Sequence, residues 1–266
     1  MTEAGPSAAP PGHHLVGDEA AAATSADGAG AWRDRLAIAL DVDDLVEARR
    51  IVKDVAPWFG VAKVGLELYT AVGPDAVSHL AEMGMDIFLD LKLHDIPTTV
   101  GRAARVAGSL GANYLTLHAF GGVTMLRAGV EGLAEGAARA GLPEPTSLAV
   151  TILTSDNGAP AHILGKRVQA AVEGSCRGIV CAAADVREAK QLAPRLVAVV
   201  PGIRRSGAVS HDQRRPATAS SALAAGADLL VVGRAVTSAP DRAAAAAELV
   251  SSLDEFGSGA APESAR

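Results

Sequence analysis

The chain has 266 residues, of which 49% are hydrophobic, 20% are charged and only 3% are aromatic, and its formal net charge is −6. No apolar run approaches the roughly 20 residues that a membrane-spanning helix needs, and the mild acidity argues against a broad nucleic-acid-binding surface. The two cysteines make no disulfide framework, and no spacing of Cys and His is typical of a zinc site. We therefore expect a cytoplasmic globular protein with no membrane, nucleic-acid or metal partner.

The two ends of the chain differ in composition from its middle. Residues 1–30 are rich in Ala, Gly and Pro, carry no apolar periodicity and lack the basic-then-apolar pattern of a secretory signal. We expect them to form a flexible leader, and residues 257–266 to form a flexible tail. Residues 31–256 are then expected to form a single domain.

Eight short, nearly continuous apolar runs predict strands that are buried on both faces. In chain order they are residues 36–40, 61–64, 86–91, 114–117, 147–152, 178–181, 196–200 and 229–232. Amphipathic segments predict helices at 45–55, 76–83, 99–110, 124–138, 163–172, 186–192, 218–225 and 241–253. This alternation favours the α/β class and a single closed (β/α)8 barrel, with a doubly wound open sheet as the alternative.

A barrel also predicts where functional side chains lie, because they gather at the C-terminal ends of its strands. Asp41 directly follows the first run, Lys63 lies inside the second, and Asp90 and Lys92 lie in and just after the third. Residues two apart on an extended chain share a face, so Asp90 and Lys92 are expected to project together. Solvated turn charges are the alternative, but a charge inside an apolar run is costly unless it is paired.

The composition of this cluster indicates what its lysines can do. Neighbouring carboxylates favour the charged ammonium form of a lysine, whereas a lysine that forms a Schiff base must react as the neutral amine. The cluster therefore favours a permanent cation and proton donor over the covalent nucleophile of an aldolase.

The ends of the last two predicted strands carry groups that suit an anion. Arg204 follows the seventh strand, Gln213 lies in the loop beyond it, and Gly233 and Arg234 follow the eighth. In barrels, the loops at these positions and the N-terminus of a short helix commonly hold a phosphate. The backbone N–H groups of Gly233 and Arg234, together with a guanidinium group, would suit a phosphate dianion.

The most specific motif covers the end of the third strand and the turn after it. Residues 90–99 read DLKLHDIPTT, which resembles the signature of the orotidine 5′-phosphate decarboxylase family. The resemblance extends in family order through ALD at 39–41, KVG at 63–65, VTILTS at 150–155, PGIR at 201–204, DQR at 212–214 and VGRAV at 232–236. One departure is Thr98, which stands where the family usually has Asn, while Thr99 keeps its place.

The resemblance implies loss of the carboxylate of orotidine 5′-phosphate as carbon dioxide, which gives uridine 5′-phosphate in the last step of de novo pyrimidine synthesis. Lys92 would donate a proton to the ring carbon, and Asp90 would lie beside the departing carboxylate. Lys63 and Asp95 would complete an alternating charge network. Because the family residues that match Asp95 and Thr99 reach into the partner's site, the resemblance also implies a homodimer.

The resemblance implies a set of substrate-binding residues as well: Asp41, Lys63, Ile96, Thr99, Thr154, Arg204, Gln213, Gly233 and Arg234. Within this set, Asp41 and Lys63 would hold the ribose hydroxyls, and Thr154 would line the region of the base and ribose. Arg204 would bind on the side of strand seven. The implied phosphate ligands are Gln213, Gly233 and Arg234.

No cofactor is expected, because neither a GxGxxG fingerprint nor a Gly-x-x-x-x-Gly-Lys-Ser/Thr loop occurs in the chain. Two rival functions stay open. A magnesium-dependent hexulose-phosphate synthase or related decarboxylase shares the fold, but is expected to carry an acid where this chain has Lys63. A catalytically idle nucleotide-phosphate-binding barrel predicts ligand binding without release of carbon dioxide.

Overall fold

A computed structural model of the chain describes residues 28–156, 158–160, 162–204 and 217–259. Most of the predicted leader and tail, and the predicted phosphate ligand Gln213, lie outside these residues. The strands of the described part are β1 (Leu36–Leu40), β2 (Val61–Gly65), β3 (Asp86–Leu93), β4 (Tyr114–His118), β5 (Thr146–Val150), β6 (Gly178–Val180), β7 (Val197–Arg204), β8 (Ala217–Thr218) and β9 (Leu229–Val232).

The helices are interleaved with these strands along the chain. They are α1 (Gly28–Arg33), α2 (Leu45–Val55), α3 (Leu66–Val72), α4 (Asp75–Ala81), α5 (Pro97–Ser109), α6 (Gly122–Arg139), α7 (His162–Glu173), α8 (Ala183–Leu192), α9 (Ala219–Ala224), α10 (Arg234–Thr237) and α11 (Arg242–Gly259). A 3₁₀ turn, Ala119–Gly121, follows β4. Helices α1 and α11 extend slightly beyond the predicted limits of the domain.

The strand pairings close the sheet into a barrel. All pairings in the described residues are parallel, and β1 to β7 pair in chain order. Strand β9 pairs with both β7 and β1, while the short β8 adds a pairing at the end of β7. The predicted (β/α)8 barrel is therefore confirmed, and the alternative of an open sheet is wrong.

Side-chain alternation inside the barrel explains why charges gather at one end. Val61 on β2 and Phe88 on β3 belong to the apolar cluster that fills the interior. Because side chains two residues apart share a face of a strand, Lys63 and Asp90 follow them on the same interior side. The register of β2 and β3 pairs Gly65 with Asp90, which brings the charged ends of the two strands level.

Helix α5, which follows the 90–99 motif, is held against α6 by glycines. A Cβ atom on Gly132 would collide with the carbonyl oxygen of Gly101, and one on Gly136 would collide with that of Arg105. The helix backbones therefore approach more closely than side chains would allow. Pro97 occupies the first turn of α5, where its missing N–H group costs no helical hydrogen bond.

Three of the described helices, α1, α3 and α10, have no counterpart among the predicted ones. Helix α3 follows β2 directly, and Leu68 is its only fully buried residue. A segment that buries one side chain carries no apolar periodicity, which is why the pattern did not predict it.

Other sequence expectations concern the cysteines and the membrane. Cys176 and Cys181 are free and buried, and burial raises the pKa of each thiol to about 12. Among the helices that the structure describes, none combines the length and hydropathy needed to cross a membrane. The cytoplasmic location stays a prediction.

Candidate active site

A cavity of about 250 Å³ lies at the carboxyl ends of the barrel strands. Its apolar lining comprises Ala39, Phe88, Val150, Ile152, Leu153, Val180, Pro201, Ile203 and Val231. Its other lining residues are Asp41, Lys63, Asp90, Lys92, Thr154, Gly202, Arg204, Gly233 and Arg234. The structure thus brings most of the predicted site residues around one cavity.

Four charged side chains of the cavity form a chain of ion pairs with alternating sign. The Nζ atom of Lys63 lies 2.9 Å from Oδ1 of Asp41 and 3.7 Å from Oδ2 of Asp90. The Nζ atom of Lys92 lies 2.8 Å from the same oxygen of Asp90. Lys63 is only 8% exposed, and a buried charge without a partner is strongly destabilising. The alternation of sign is therefore what allows these groups to stay charged inside the barrel.

Strand β3 loses its regular geometry where it carries Asp90 and Lys92. Its register with β4 shifts between Leu89 and Leu93, and Lys92 has a φ of 48°, in the left-handed region. Asp90 and Lys92 both line the cavity as predicted, but Lys92 does so through a bulged backbone and not through simple alternation. The hydroxyl group of Thr116 on β4 contacts both residues, at 3.1 Å from Oδ1 of Asp90 and 2.8 Å from the backbone nitrogen of Lys92.

Gly65 at the end of β2 leaves room for the first ion pair. A Cβ atom at this position would lie 3.1 Å from Nζ of Lys63 and 3.3 Å from Oδ1 of Asp41. Both distances are shorter than an ordinary van der Waals contact. The third residue of the KVG block is thus small where the two charged groups meet.

A second wall of the cavity comes from the ends of β7 and β9. Arg204 ends β7, and Gly233 and Arg234 follow β9. The Nε atom of Arg204 is buried and finds no hydrogen-bond partner among the described residues. A buried donor left in this state costs free energy, and an anion in the cavity would offer it an acceptor.

Three predicted residues do not line this cavity. Asp95, Ile96 and Thr99 lie at the start of α5 and are exposed, Ile96 at 66%. The Oδ1 atom of Asp95 accepts a hydrogen bond of 2.6 Å from the amide of Ile96. Phe120, which follows β4, is 70% exposed close by: its ring lies 5.7 Å from that of His94. These side chains form an exposed, partly apolar surface beside the cavity.

Two histidines stack on each other next to Phe120 of this surface. The ring centroids of His94 and His118 are 5.4 Å apart, and Nδ1 of His118 accepts a hydrogen bond from the amide of Phe120. Burial lowers the pKa of His118, and the nearby His94, Arg167 and Lys92 lower it further. His118 is thus favoured in its neutral form, which is the form that accepts this hydrogen bond.

Sequence reasoning missed two parts of the site. It gave no role to Thr116, although a polar residue inside the apolar run 114–117 was a visible signal. It also left out most of the apolar lining, whose residues look like ordinary strand core. In the part of the chain that the structure describes, no three His, Cys, Asp or Glu side chains group as a metal site.

Comparisons with known proteins agree on one family. The family model described as "Orotidine 5'-phosphate decarboxylase / HUMPS family" matches residues 34–249. The orotidine 5'-phosphate decarboxylase of Thermobifida fusca is 44% identical over 238 residues, covering 84% of this chain and 97% of that protein. That of Anaeromyxobacter dehalogenans is 42% identical over 231 residues, covering 83% and 98%.

The similarity extends to solved structures. The crystal structure of orotidine 5'-phosphate decarboxylase from Lactobacillus acidophilus matches with a TM-score of 0.70 and 33% identity, covering 84% of this chain and 99% of that one. An uncharacterized conserved protein from Geobacillus kaustophilus gives the same TM-score at 32% identity, covering 83% and 99%. With the closed barrel, the charged cavity and these relatives together, the chain belongs to the orotidine 5′-phosphate decarboxylase / HUMPS family.

Proposed function

We propose that this chain decarboxylates orotidine 5′-phosphate to uridine 5′-phosphate and carbon dioxide in the cytoplasm, as the last step of de novo pyrimidine synthesis, without a metal or cofactor. The observation that carries the proposal is the alternating chain of ion pairs from Asp41 through Lys63 and Asp90 to Lys92 in the barrel cavity. The names of the relatives at 42% and 44% identity support the choice of substrate.

The chemistry requires a cation next to the reacting carbon. The bond between the ring carbon and its carboxylate breaks, carbon dioxide leaves, and the electron pair stays on the ring carbon. That pair lies in the plane of the ring, where the π system cannot accept it. The Lys92 ammonium stabilises the pair and then delivers its proton to it, while Asp90 lies beside the departing carboxylate and keeps Lys92 charged and in place.

The electrostatic attraction between the Lys92 ammonium and the electron pair on the ring carbon accounts for part of the rate enhancement. One ammonium at about 4 Å in an effective dielectric constant of about 20 contributes roughly 4 kcal/mol. This corresponds to about a thousandfold in rate. The remainder comes from substrate contacts away from the reacting carbon, whose binding energy offsets the desolvation of the base beside charged groups.

Those remote contacts lie on both sides of the cavity. We assign the ribose hydroxyls to Asp41 and Lys63, and the edge of the base and ribose to Thr154. On the wall formed by β7 and β9, Arg204 and Arg234 offer guanidinium groups that suit a phosphate dianion. The remaining phosphate ligands in the proposal are Gly233 and Gln213.

The exposed start of α5 supports a shared site in a homodimer. Asp95 and Thr99 lie outside the cavity of their own chain, next to the exposed apolar side chains of Ile96 and Phe120. Pairing of two such surfaces by a twofold axis would bury the apolar side chains of both chains. We propose that Asp95, Ile96 and Thr99 thereby complete the partner's site, and that Asp95 extends the partner's charge network.

A mixed dimer tests this arrangement. The Lys92→Ala variant and the Asp95→Asn variant are each expected to be inactive. The two variants are unfolded, mixed in equal amounts and refolded together. Half of the dimers then hold one chain of each kind, and one of the two sites in each has both residues intact, so about a quarter of wild-type activity is expected. Refolding of each variant alone is the control, and a mixture no more active than its components would contradict a shared site.

The rival metal-dependent function meets an obstacle in the position of Lys63. Its ammonium lies between the carboxylates of Asp41 and Asp90, which is where a divalent cation would need to be held. A metal ion bound by these two carboxylates would have to displace the ammonium group of Lys63. The idle barrel is disfavoured because the ion pairs that the reaction needs are in place.

One assay separates the three functions. Consumption of orotidine 5′-phosphate is followed by its ultraviolet absorbance in excess chelator, with release of labelled carbon dioxide as a second readout. The proposed function predicts full activity under these conditions. Activity that stops on chelation would indicate a metal enzyme, and binding without release of carbon dioxide would indicate the idle barrel.

A further inference from the structure

The junction of β3 and β4 has more residues on one strand than on the other. Leu89 pairs with Leu115 and Leu93 pairs with Leu117. Three residues of β3 therefore face a single residue of β4, Thr116, and the backbone ladder cannot continue through them. The irregular segment contains both Asp90 and Lys92.

The Thr116 side chain takes the place of the missing ladder. Its Oγ1 atom accepts a hydrogen bond of 2.8 Å from the backbone N–H of Lys92 and donates one of 3.1 Å to Oδ1 of Asp90. The carbonyl oxygen of Leu89 lies at 3.5 Å, which makes it the weaker acceptor. Thr116 is fully buried and does not line the cavity, so it acts on the substrate only through these neighbours.

We propose that Thr116 is a positioning residue for decarboxylation: its hydroxyl group fixes the Asp90 carboxylate and the backbone of Lys92, so that the Lys92 ammonium faces the substrate. The inference rests on the proposed function, because it takes Lys92 as the proton donor.

Two geometric features give the hydroxyl group this role. It occupies one oxygen of Asp90, which leaves the other oxygen, Oδ2, to the ammonium groups of Lys92 and Lys63. It also holds the amide of Lys92, whose φ of 48° is unfavourable for a residue with a side chain. Without the hydroxyl, the carboxylate can rotate and the backbone can relax away from the left-handed region.

Thr151 offers a matched control on the neighbouring strand end. It is also fully buried, and its hydroxyl group donates a hydrogen bond of 2.9 Å to the carbonyl oxygen of Val180. That bond touches neither Asp90 nor Lys92, and Thr151 does not line the cavity. Thr151→Val therefore removes a comparable buried hydrogen bond away from the charged residues.

The test compares kcat and KM of Thr116→Val, Thr116→Ser and Thr151→Val, with Lys92→Ala as the reference for the proposed function. Loss of a hydrogen bond to a charged group predicts a fall in kcat of about tenfold to a hundredfold for Thr116→Val. KM should change by less than about threefold, because no substrate contact is removed. Thr116→Ser should restore kcat to within about threefold of wild type, and Thr151→Val should leave kcat unchanged.

The outcomes distinguish failure of the positioning role from failure of the proposed function. If Thr116→Val turns over like wild type while Lys92→Ala is inactive, the positioning role is overturned and the proposed function stands. Equal losses of kcat in Thr116→Val and Thr151→Val would also overturn it, since a general structural effect would explain both. If Thr116→Val does not fold, Thr116→Cys, whose thiol is a weak hydrogen-bonding group, must lose kcat for the role to hold.

Discussion

The two walls of the cavity are built in different ways. On the side of β1 to β3, every charged group that lines the cavity already has an opposite charge within 4 Å. On the side of β7 and β9, the buried Nε atom of Arg204 has no hydrogen-bond partner among the described residues. The first wall is complete without a ligand, whereas the second has a donor to offer one.

Because of this difference, we expect the two walls to serve different steps of the proposed reaction. Dipoles and charges that are fixed beforehand need no reorganisation when charge develops in the transition state, so the paired wall suits the chemical step. A donor that waits for an anion gains its partner on binding, so the other wall suits recognition of the phosphate. Substitutions on the two walls should therefore change different kinetic constants.

The largest effect is expected from Lys92→Ala. The variant loses the ammonium and the proton that the carbanion receives, so turnover should fall by about a thousandfold or more. The fold should be retained, because the Lys92 side chain is one-third exposed and Asp90 keeps Lys63 and Thr116 as partners. Turnover is measured by absorbance and folding by circular dichroism, and substantial remaining activity would refute the proton-donor role.

Arg234→Ala tests the second wall. Removal of one charge-assisted contact to phosphate, at a distance from the reacting carbon, should lower kcat/KM by about a hundredfold. The matched control is the substrate orotidine, which lacks the phosphate and should show no such loss. An unchanged kcat/KM with the phosphorylated substrate, or an equal loss with both substrates, would place Arg234 outside phosphate recognition.

Much of the first wall could be predicted from the sequence because its signals are local. Asp41, Lys63 and Asp90 stand out as charges inside or directly after apolar runs, and a barrel brings the ends of neighbouring strands together. The run boundaries of β1 and β9 agree with the structure. Period-two alternation predicted that Asp90 and Lys92 share the cavity side, and both line the cavity, although Lys92 does so through a bulged backbone.

The features of the fold and of the site that the sequence did not predict depend mostly on contacts between distant parts of the chain. In the bulge at Lys92, the acceptor for the backbone amide comes from Thr116 on another strand, and no pattern within β3 indicates this. Helix α3 was missed because it buries a single residue. The close packing of α5 on α6 at Gly132 and Gly136 likewise joins parts of the chain that are far apart in sequence.

A smaller effect is expected on the first wall from Gly65→Ala. The added methyl group would lie 3.1 Å from the Lys63 ammonium, and this flexible tip can shift, so the fold should survive. The shift weakens the Asp41–Lys63 pair and should raise KM by about threefold to tenfold with little change in kcat. Gly165→Ala on α7, where the nearest atom would be 3.8 Å away, is the control. A KM equal to that of the control would show that the Lys63 side chain can accommodate the added methyl group.

The smallest effect concerns stability and comes from His118. Its pKa in the folded protein is below the ordinary value of 6.5, first because of burial and then because of His94, Arg167 and Lys92. The unfolded chain therefore takes up this proton before the folded one does. Stability from this source is fully present above the ordinary value and is lost as the pH falls through it towards the lower folded pKa.

Urea unfolding of wild type and His118→Asn at a series of pH values from 5 to 8 measures this linkage. Asparagine can still accept the hydrogen bond from the amide of Phe120 but does not titrate. The difference in the free energy of unfolding between the two proteins should thus change below about pH 6.5, with a slope of at most about 1.4 kcal/mol per pH unit. Parallel curves over the whole range would mean that His118 binds its proton equally well in the folded and the unfolded chain. The stack with His94 would then not disfavour the charged form of His118.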